Sequence, residues 1–304
     1  MHGILVVDKP IGPTSHDMVD RVRRLLGERR VGHTGTLDPF ASGVLPICVG
    51  KATRLARFFT GHDKTYRAVV RLGFATTTDD VQGDPLGAPR PVAVEREAVV
   101  AASRSLVGEI QQVPPAFSAK RSAGRRDYER ARAGEVVERR AFAVTVHAFE
   151  ILGVEADRVE IDVSCGAGTY VRSLARDLGE RLGTGGHLVA LRRTRSGPFG
   201  VEDAVALEGL ERSGAEARLL SLGRLLPELP AVHVDEEGLR ALRHGRDLGR
   251  RLVVAGFPDR APERVRVLDP AGGLVALAVP RGFGPAVAGL PVEPVLHPDL
   301  VLID

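Results

Sequence analysis

Residues 31–50 read Val-Gly-His-Thr-Gly-Thr-Leu-Asp-Pro-Phe-Ala-Ser-Gly-Val-Leu-Pro-Ile-Cys-Val-Gly. Gly32, Gly35 and Gly43 allow backbone conformations closed to other residues. Pro39 fixes the chain just after Asp38 and biases Asp38 toward an extended backbone. The run from Val44 to Val49 then reads as a buried strand. A single carboxylate thus stands in a stiff, glycine-flanked loop mounted on a core element. Such a loop presents one nucleophile or base in a fixed pose. A tight turn in which Asp38 bonds its own backbone fits the same spacing.

On the N-terminal side, Gly3 to Val7 is a short apolar strand that ends at Asp8-Lys9-Pro10. Ser15 is the expected N-cap of a helix with Met18, Val19, Val22, Leu25 and Leu26 on one face. On the other side, Ala52 to Phe59 reads as a short helix burying Leu55, Phe58 and Phe59. Lys64 to Gly73 alternates, with Tyr66, Ala68, Val70 and Leu72 on one face and Arg67 and Arg71 on the other. Pattern alone makes Tyr66 a core tyrosine. Thr76 to Pro85 is a polar loop, and Glu95 to Leu106 a helix.

Farther along, Val113-Pro114-Pro115-Ala116-Phe117-Ser118-Ala119-Lys120 leads into a basic helix expected over 124–132. Residues 118–140 hold eight basic side chains against four acidic ones, which suits a grip on a phosphate backbone or a solvated helix face. Strands follow over 142–152 and 159–165. Gly166-Ala167-Gly168-Thr169-Tyr170-Val171-Arg172 opens a helix whose apolar stripe is Val171, Leu174, Leu178 and Leu182. Arg172 lies off that stripe, so spacing alone puts it in solvent. His187 to Phe199 reads as the last strand of this region, with Leu191 buried.

At 304 residues the length fits one large domain and a small one, and 43% hydrophobic content is ordinary for a globular chain. No apolar run approaches the ~20 residues of a membrane span. The first eight residues have no basic region or cleavage-like site, so no leader and no membrane association are expected, and the cytoplasm is the expected location. Cys48 and Cys165 are far apart and outside any Cys-x-x-Cys pair, which removes zinc and dithiol motifs from consideration. Net charge of +3 and a pI near 9.1 permit a polyanionic partner. The spacing from Gly43 to Gly50-Lys51-Ala52 is wrong for a Walker A loop.

Gly32-His33-Thr34-Gly35-Thr36-Leu37-Asp38-Pro39 closely resembles the signature of the TruB family, the tRNA pseudouridine-55 synthases. Phe40 stands where that family more usually has a smaller aliphatic residue. Further stretches resemble family motifs in family order: Lys9-Pro10, Lys64-Thr65-Tyr66-Arg67-Ala68, the 76–85 loop, 113–132, and Gly168-Thr169-Tyr170-Val171-Arg172. The resemblance covers about the first two hundred residues. It implies that Asp38 is the catalytic nucleophile and that Arg172 pairs with it. It implies that Tyr66 stacks on the target base and serves later proton transfer, and that Tyr170 and Leu191 lie beside the bound uridine. His33 would wedge or stack where the RNA loop opens, or else bond loop backbone, and Lys9 joins the substrate-binding set. An Arg172 partner is expected to lower the Asp38 pKa.

The expected fold is α+β: a mixed, largely antiparallel sheet flanked by helices over residues 1–227, with a central cleft. A boundary near Pro227 and Pro230 leads to a small β-rich, PUA-like RNA-binding domain over 228–304. There a short helix is expected at 235–243, with strands at 252–255, 265–268 and 274–279 and a hairpin turn at 269–273. The implied activity is isomerisation of a uridine in the tRNA T-loop, with no cofactor and no metal, by a monomer. A tRNA-binding folding factor that opens the tRNA without chemistry is the alternative, motivated by the basic segments and the C-terminal module.

Overall fold

The first strand, β1 (Gly3–Lys9), runs past its apolar stretch because Lys9 is itself fully buried. The computed structural model describes residues 1–116, 140–283 and 293–303, with the backbone of 121–122 and 125–126. The strands that follow are β2 (Val31–His33), β3 (Ser42–Val49), β4 (Lys64–Leu72), β5 (Ala75–Thr76), β6 (Pro85–Leu86) and β7 (Gly108–Gln112). The basic helix expected over 124–132 lies outside the described residues, except that β8 (Arg121–Ser122) pairs with β9 (Arg125–Arg126). Next come β10 (Phe142–Glu155), β11 (Arg158–Cys165), β12 (Gly186–Ser196), β13 (Phe199–Gly200) and β14 (Leu220–Ser221).

Among the described residues the main sheet has the order β14-β1-β3-β12-β4-β11-β10-β7, with β2 beside β3 and β13 beside β12. All its pairings are antiparallel except the short parallel contact between β12 and β3, where Arg192 and Arg193 face Ser42 and Gly43. Gly43 makes that contact feasible. Its φ is +105°, and a Cβ there would collide with the Arg193 main chain. The helices Ser15–Leu26, Arg96–Ser103 and Val171–Arg181 contribute Met18, Val22, Val99, Leu174 and Leu178 to one continuous core with β3, β4, β11 and β12. Phe40 is buried in that same core.

The first helix starts one residue earlier than expected. Thr14 is its N-cap, in a capping box with Asp17, and Gly27 closes it in the left-handed conformation. Ser15 has other work: its hydroxyl donates to the Leu37 carbonyl at 3.1 Å and accepts from the Leu37 N–H at 2.8 Å. The expected helix after β3 is a 3-10 segment, Gly50–Leu55, running into a five-residue helix, Ala56–Thr60, with Phe58 only half-buried.

Beyond Pro227 the strands are β15 (Ala231–His233), β16 (Leu248–Gly249), β17 (Val265–Leu268), β18 (Leu274–Arg281) and β19 (Val295–Val301), in the order β15-β17-β18-β19-β16. The expected strand at 252–255 is absent. Arg250–Leu252 is a 3-10 turn, and Ala255 makes only an isolated bridge to His233. This small sheet shares a second apolar cluster with the first: Ile4, Val44, Cys48 and Leu55 pack with Leu225, Leu277 and Leu300. Arg57 and Arg264 both reach Asp299, at 3.0 and 2.9 Å, and Arg54 donates to the Val301 carbonyl. No helix among the described residues is long and apolar enough to cross a membrane.

Candidate active site

The loop between β2 and β3 lies outside the sheet's ladders, so its backbone polar groups need other partners. Three buried side chains supply them. Lys9 donates to the carbonyls of Ala41 (2.6 Å), Pro10 (2.9 Å) and Pro39 (3.4 Å). Arg193 donates to Val44 (2.7 Å), Gly35 (3.2 Å) and Thr36 (3.4 Å). Ser15 holds both main-chain groups of Leu37. Asp38 thereby lines a cavity of about 270 Å³, near the lower end of small-molecule sites (about 300–1,000 Å³).

The helix Val171–Arg181 supplies the partner. Arg172 meets both Asp38 oxygens, with Nε 2.9 Å from Oδ2 and Nη2 donating to Oδ1 at 3.2 Å. This is a bidentate fork. The Arg172 side chain is 6% exposed, whereas Asp38 keeps 34% of its side-chain surface open to the cavity. A tight turn does form here, with the Asp38 main-chain carbonyl accepting from the Ala41 N–H at 3.1 Å, and it leaves both side-chain oxygens of Asp38 facing the guanidinium. Arg172 Nη1 also donates to the Thr78 carbonyl at 3.2 Å and lies 3.5 Å from the buried Asp80. Four residues on, Arg176 donates to Asp79 at 2.8 Å and to the Val113 carbonyl at 2.9 Å.

Arg172 acts on the Asp38 carboxyl in the expected direction, but burial outweighs it. Burial pushes the Asp38 carboxyl above its ordinary value, and Asp80 adds to that. Arg172 pulls the other way by charge and hydrogen bond, and Lys9 helps it, but the net direction is upward. Lys9 is held down to about 8 by burial. Burial also raises the Tyr66 phenol, against the opposing charge of Arg193 beside it, so the ring stays protonated at neutral pH.

Of the residues singled out in the sequence, Asp38, Tyr66, Tyr170, Arg172 and Leu191 all line this one cavity, joined by Lys64 and Arg193. Two do not. Lys9 is fully buried and donates to three main-chain carbonyls, two of them in the loop. His33 is half-buried, with Nδ1 accepting from the Gly35 N–H at 3.2 Å, which is the backbone-bonding alternative. Burial lowers its pKa, with Arg193 and His16 acting in the same direction. Among the described residues no cluster of three or more His, Cys, Asp or Glu is placed to hold a metal. Both cysteines are buried and free, with their thiols pushed up to about 12 and about 11.

The descriptions "TruB family pseudouridylate synthase (N terminal domain)" and "tRNA pseudouridylate synthase B C-terminal domain" match residues 23–171 and 172–226. The chain belongs to the TruB family. The tRNA pseudouridine synthase B of Thermobifida fusca is 46% identical over 92% of this chain and 94% of its own. That of an Arthrobacter species is 43% identical over 93% and 94%. Among solved structures, one described as the crystal structure of a Cbf5-Nop10-Gar1 complex superimposes with a TM-score of 0.70 at 28% identity, covering 99% of this chain and 85% of that one. In this TruB member, Asp79, Asp80, Arg176, Arg193 and Gln112 escaped the sequence reading. Asp79 and Asp80 sat in a loop with no periodicity, and a buried acid leaves no pattern when its partner is about a hundred residues away.

Proposed function

We propose that this chain isomerises a uridine of tRNA to pseudouridine, at position 55 in the T-loop, with Asp38 as the nucleophile. The observation that carries the reading is the Asp38–Arg172 fork in a cavity that also presents Tyr66, Tyr170 and Leu191. Relatives covering nearly the whole chain bear the name tRNA pseudouridine synthase B. Folding assistance without chemistry is not favoured, because simple binding needs no carboxylate clamped in a pocket.

In the proposed reaction the C1′–N1 bond breaks, the base turns, and C1′ rejoins at carbon 5, whose proton is lost while N1 regains one. Nothing is oxidised or reduced. Asp38 attacks as the carboxylate, and Arg172 keeps both its oxygens in register. The target base leaves its stack at a cost of a few kcal/mol. Stacking on the neutral Tyr66 ring offsets about 1–3 kcal/mol of that. Tyr170 and Leu191 form the apolar side of the pocket around the base.

The tRNA arm is gripped in this scheme by basic surface outside the cavity and by an RNA-binding domain over 228–304, while residues 1–227 carry the chemistry. The small sheet with its own strand order supports that division. The enzyme is taken to act as a monomer in the cytoplasm. The deciding experiment is tritium release from carbon-5-labelled uridine in a tRNA transcript. Wild type releases label, Asp38→Asn does not, and a transcript with cytidine at position 55 yields none. Retained turnover by Asp38→Asn removes the nucleophile assignment.

A further inference from the structure

The helix that carries Arg172 begins at a residue poorly suited to begin one. Tyr170 is its N-cap, extended at φ −102° and ψ 109°, and its own side chain caps nothing; Ser, Thr, Asp and Asn are the usual residues there. A replacement comes from 58 positions away. Gln112, the last residue of β7 and fully buried, accepts from the Tyr170 N–H at 2.8 Å and donates to the Tyr170 carbonyl at 3.1 Å. A side-chain amide thus stands in for the donor and acceptor that a neighbouring strand supplies to a peptide.

Further links act at the same place. The Val113 carbonyl accepts from Ser173 Oγ at 2.9 Å and from Arg176 Nη2 at 2.9 Å. Phe142, which faces Gln112 across the β7–β10 ladder, sets its ring edge-on to the Tyr170 ring with centroids 6.4 Å apart. Tyr170 is therefore held by its backbone from β7 and by its ring from β10. Its ring lines the cavity, and two residues later Arg172 forks Asp38. Gln112 itself does not line the cavity.

We propose that Gln112 is a positioning residue for the isomerisation, acting through Tyr170 to fix where the Tyr170 ring and the Arg172 guanidinium stand; this rests on the functional reading above. A residue needed only to fill space is replaceable by any side chain of similar volume. A donor and an acceptor aimed at one peptide set orientation as well.

The test compares wild type with Gln112→Met and Gln112→Glu in the full chain. Methionine fills the space with neither donor nor acceptor. Ionised glutamate accepts from the N–H but cannot donate to the carbonyl. Single-turnover pseudouridine formation, tRNA affinity by filter binding, and the acid limb of the rate profile are measured. Gln112→Met is expected to lower the single-turnover rate at least tenfold, with tRNA affinity within threefold of wild type. Its acid limb moves to higher pH, because a loosened Arg172 pulls less on Asp38 while Asp80 and Lys9 remain in place. Gln112→Glu retains part of the rate. If Gln112→Met does not fold, Gln112→Asn, the same amide one methylene shorter, takes its place with the same thresholds. A folded variant whose rate and acid limb match wild type overturns the proposal, as does one whose loss lies wholly in tRNA affinity. A wild-type chain that forms no pseudouridine counts against the functional reading instead, so the two failures are distinguishable.

Discussion

Replacing Arg172 with lysine keeps the positive charge and removes the fork. The guanidinium reaches both Asp38 oxygens, the Thr78 carbonyl and, at 3.5 Å, Asp80. A single ammonium on a flexible stem satisfies one side of that set, not both. Hydrogen bonds to charged groups contribute about 1.5–3 kcal/mol each. Losing one bond that aligns Asp38 therefore lowers the single-turnover rate by roughly 10- to 150-fold, at about 1.36 kcal/mol per decade. Arg172→Ala goes further and leaves Asp38 and Asp80 without their shared cation. Removing one partner of a buried pair costs about 3–5 kcal/mol. The lower end applies here, because Asp38 is 34% exposed and solvent screens it. A loss of about 3 kcal/mol lowers Tm by roughly 6–12 °C for a domain of about 150–250 residues. The sign with pH is checkable too. Without Arg172, Asp38 takes up a proton still more readily folded than unfolded, so the deficit narrows as pH falls. The assays are tritium release under single-turnover conditions and thermal unfolding at two pH values. Arg172→Lys within threefold of the wild-type rate, or Arg172→Ala melting within 2 °C of wild type, would refute the reasoning.

Asp80→Asn is expected to move the acid limb of kcat/KM to lower pH, since Asp80 pushes the Asp38 carboxyl up and its removal leaves Asp38 the one carboxylate of the pair on Arg172; an unmoved limb argues against the shared guanidinium. Lys9 has a folded pKa of about 8 against an ordinary 10.5, so its charge is disfavoured in the fold. Its contribution to stability is full above about pH 10.5 and is lost as pH falls through about 8. Urea unfolding should therefore show the stability of wild type relative to Lys9→Met rising by on the order of 3 kcal/mol as pH is raised from about 8 to about 10.5, and a constant difference would show that Lys9 carries its charge freely. Gly43→Ala forces a side chain into a φ of +105° and against the Arg193 main chain, so a loss of at least about 2 kcal/mol is expected in the same assay. A neutral result there would mean that the β3–β12 contact is loose.

The sequence by itself determined the parts that depend on local period and local wording. Alternation placed Tyr66, Ala68, Val70 and Leu72 on the buried face of β4, and the stripe of one valine and three leucines from Val171 placed the Arg172 helix. The words around Asp38, Tyr66 and Arg172 were sufficient to identify the family, because a loop that must present one carboxylate tolerates few residue types. Periodicity failed wherever a side chain's partner lay far along the chain. It put Arg172 in solvent, made Ser15 a helix cap, and left Asp80 in an anonymous polar loop. The family wording restored Arg172 to the site, but only the tertiary structure brought the other two there: Ser15 ties down Leu37, and Asp80 shares Arg172 with Asp38. The physical reason is that a buried charge or hydroxyl is admitted by the donors and acceptors around it. Those partners, 22 and 134 residues apart for Ser15–Leu37 and Arg172–Asp38, become neighbours only after the sheet has closed.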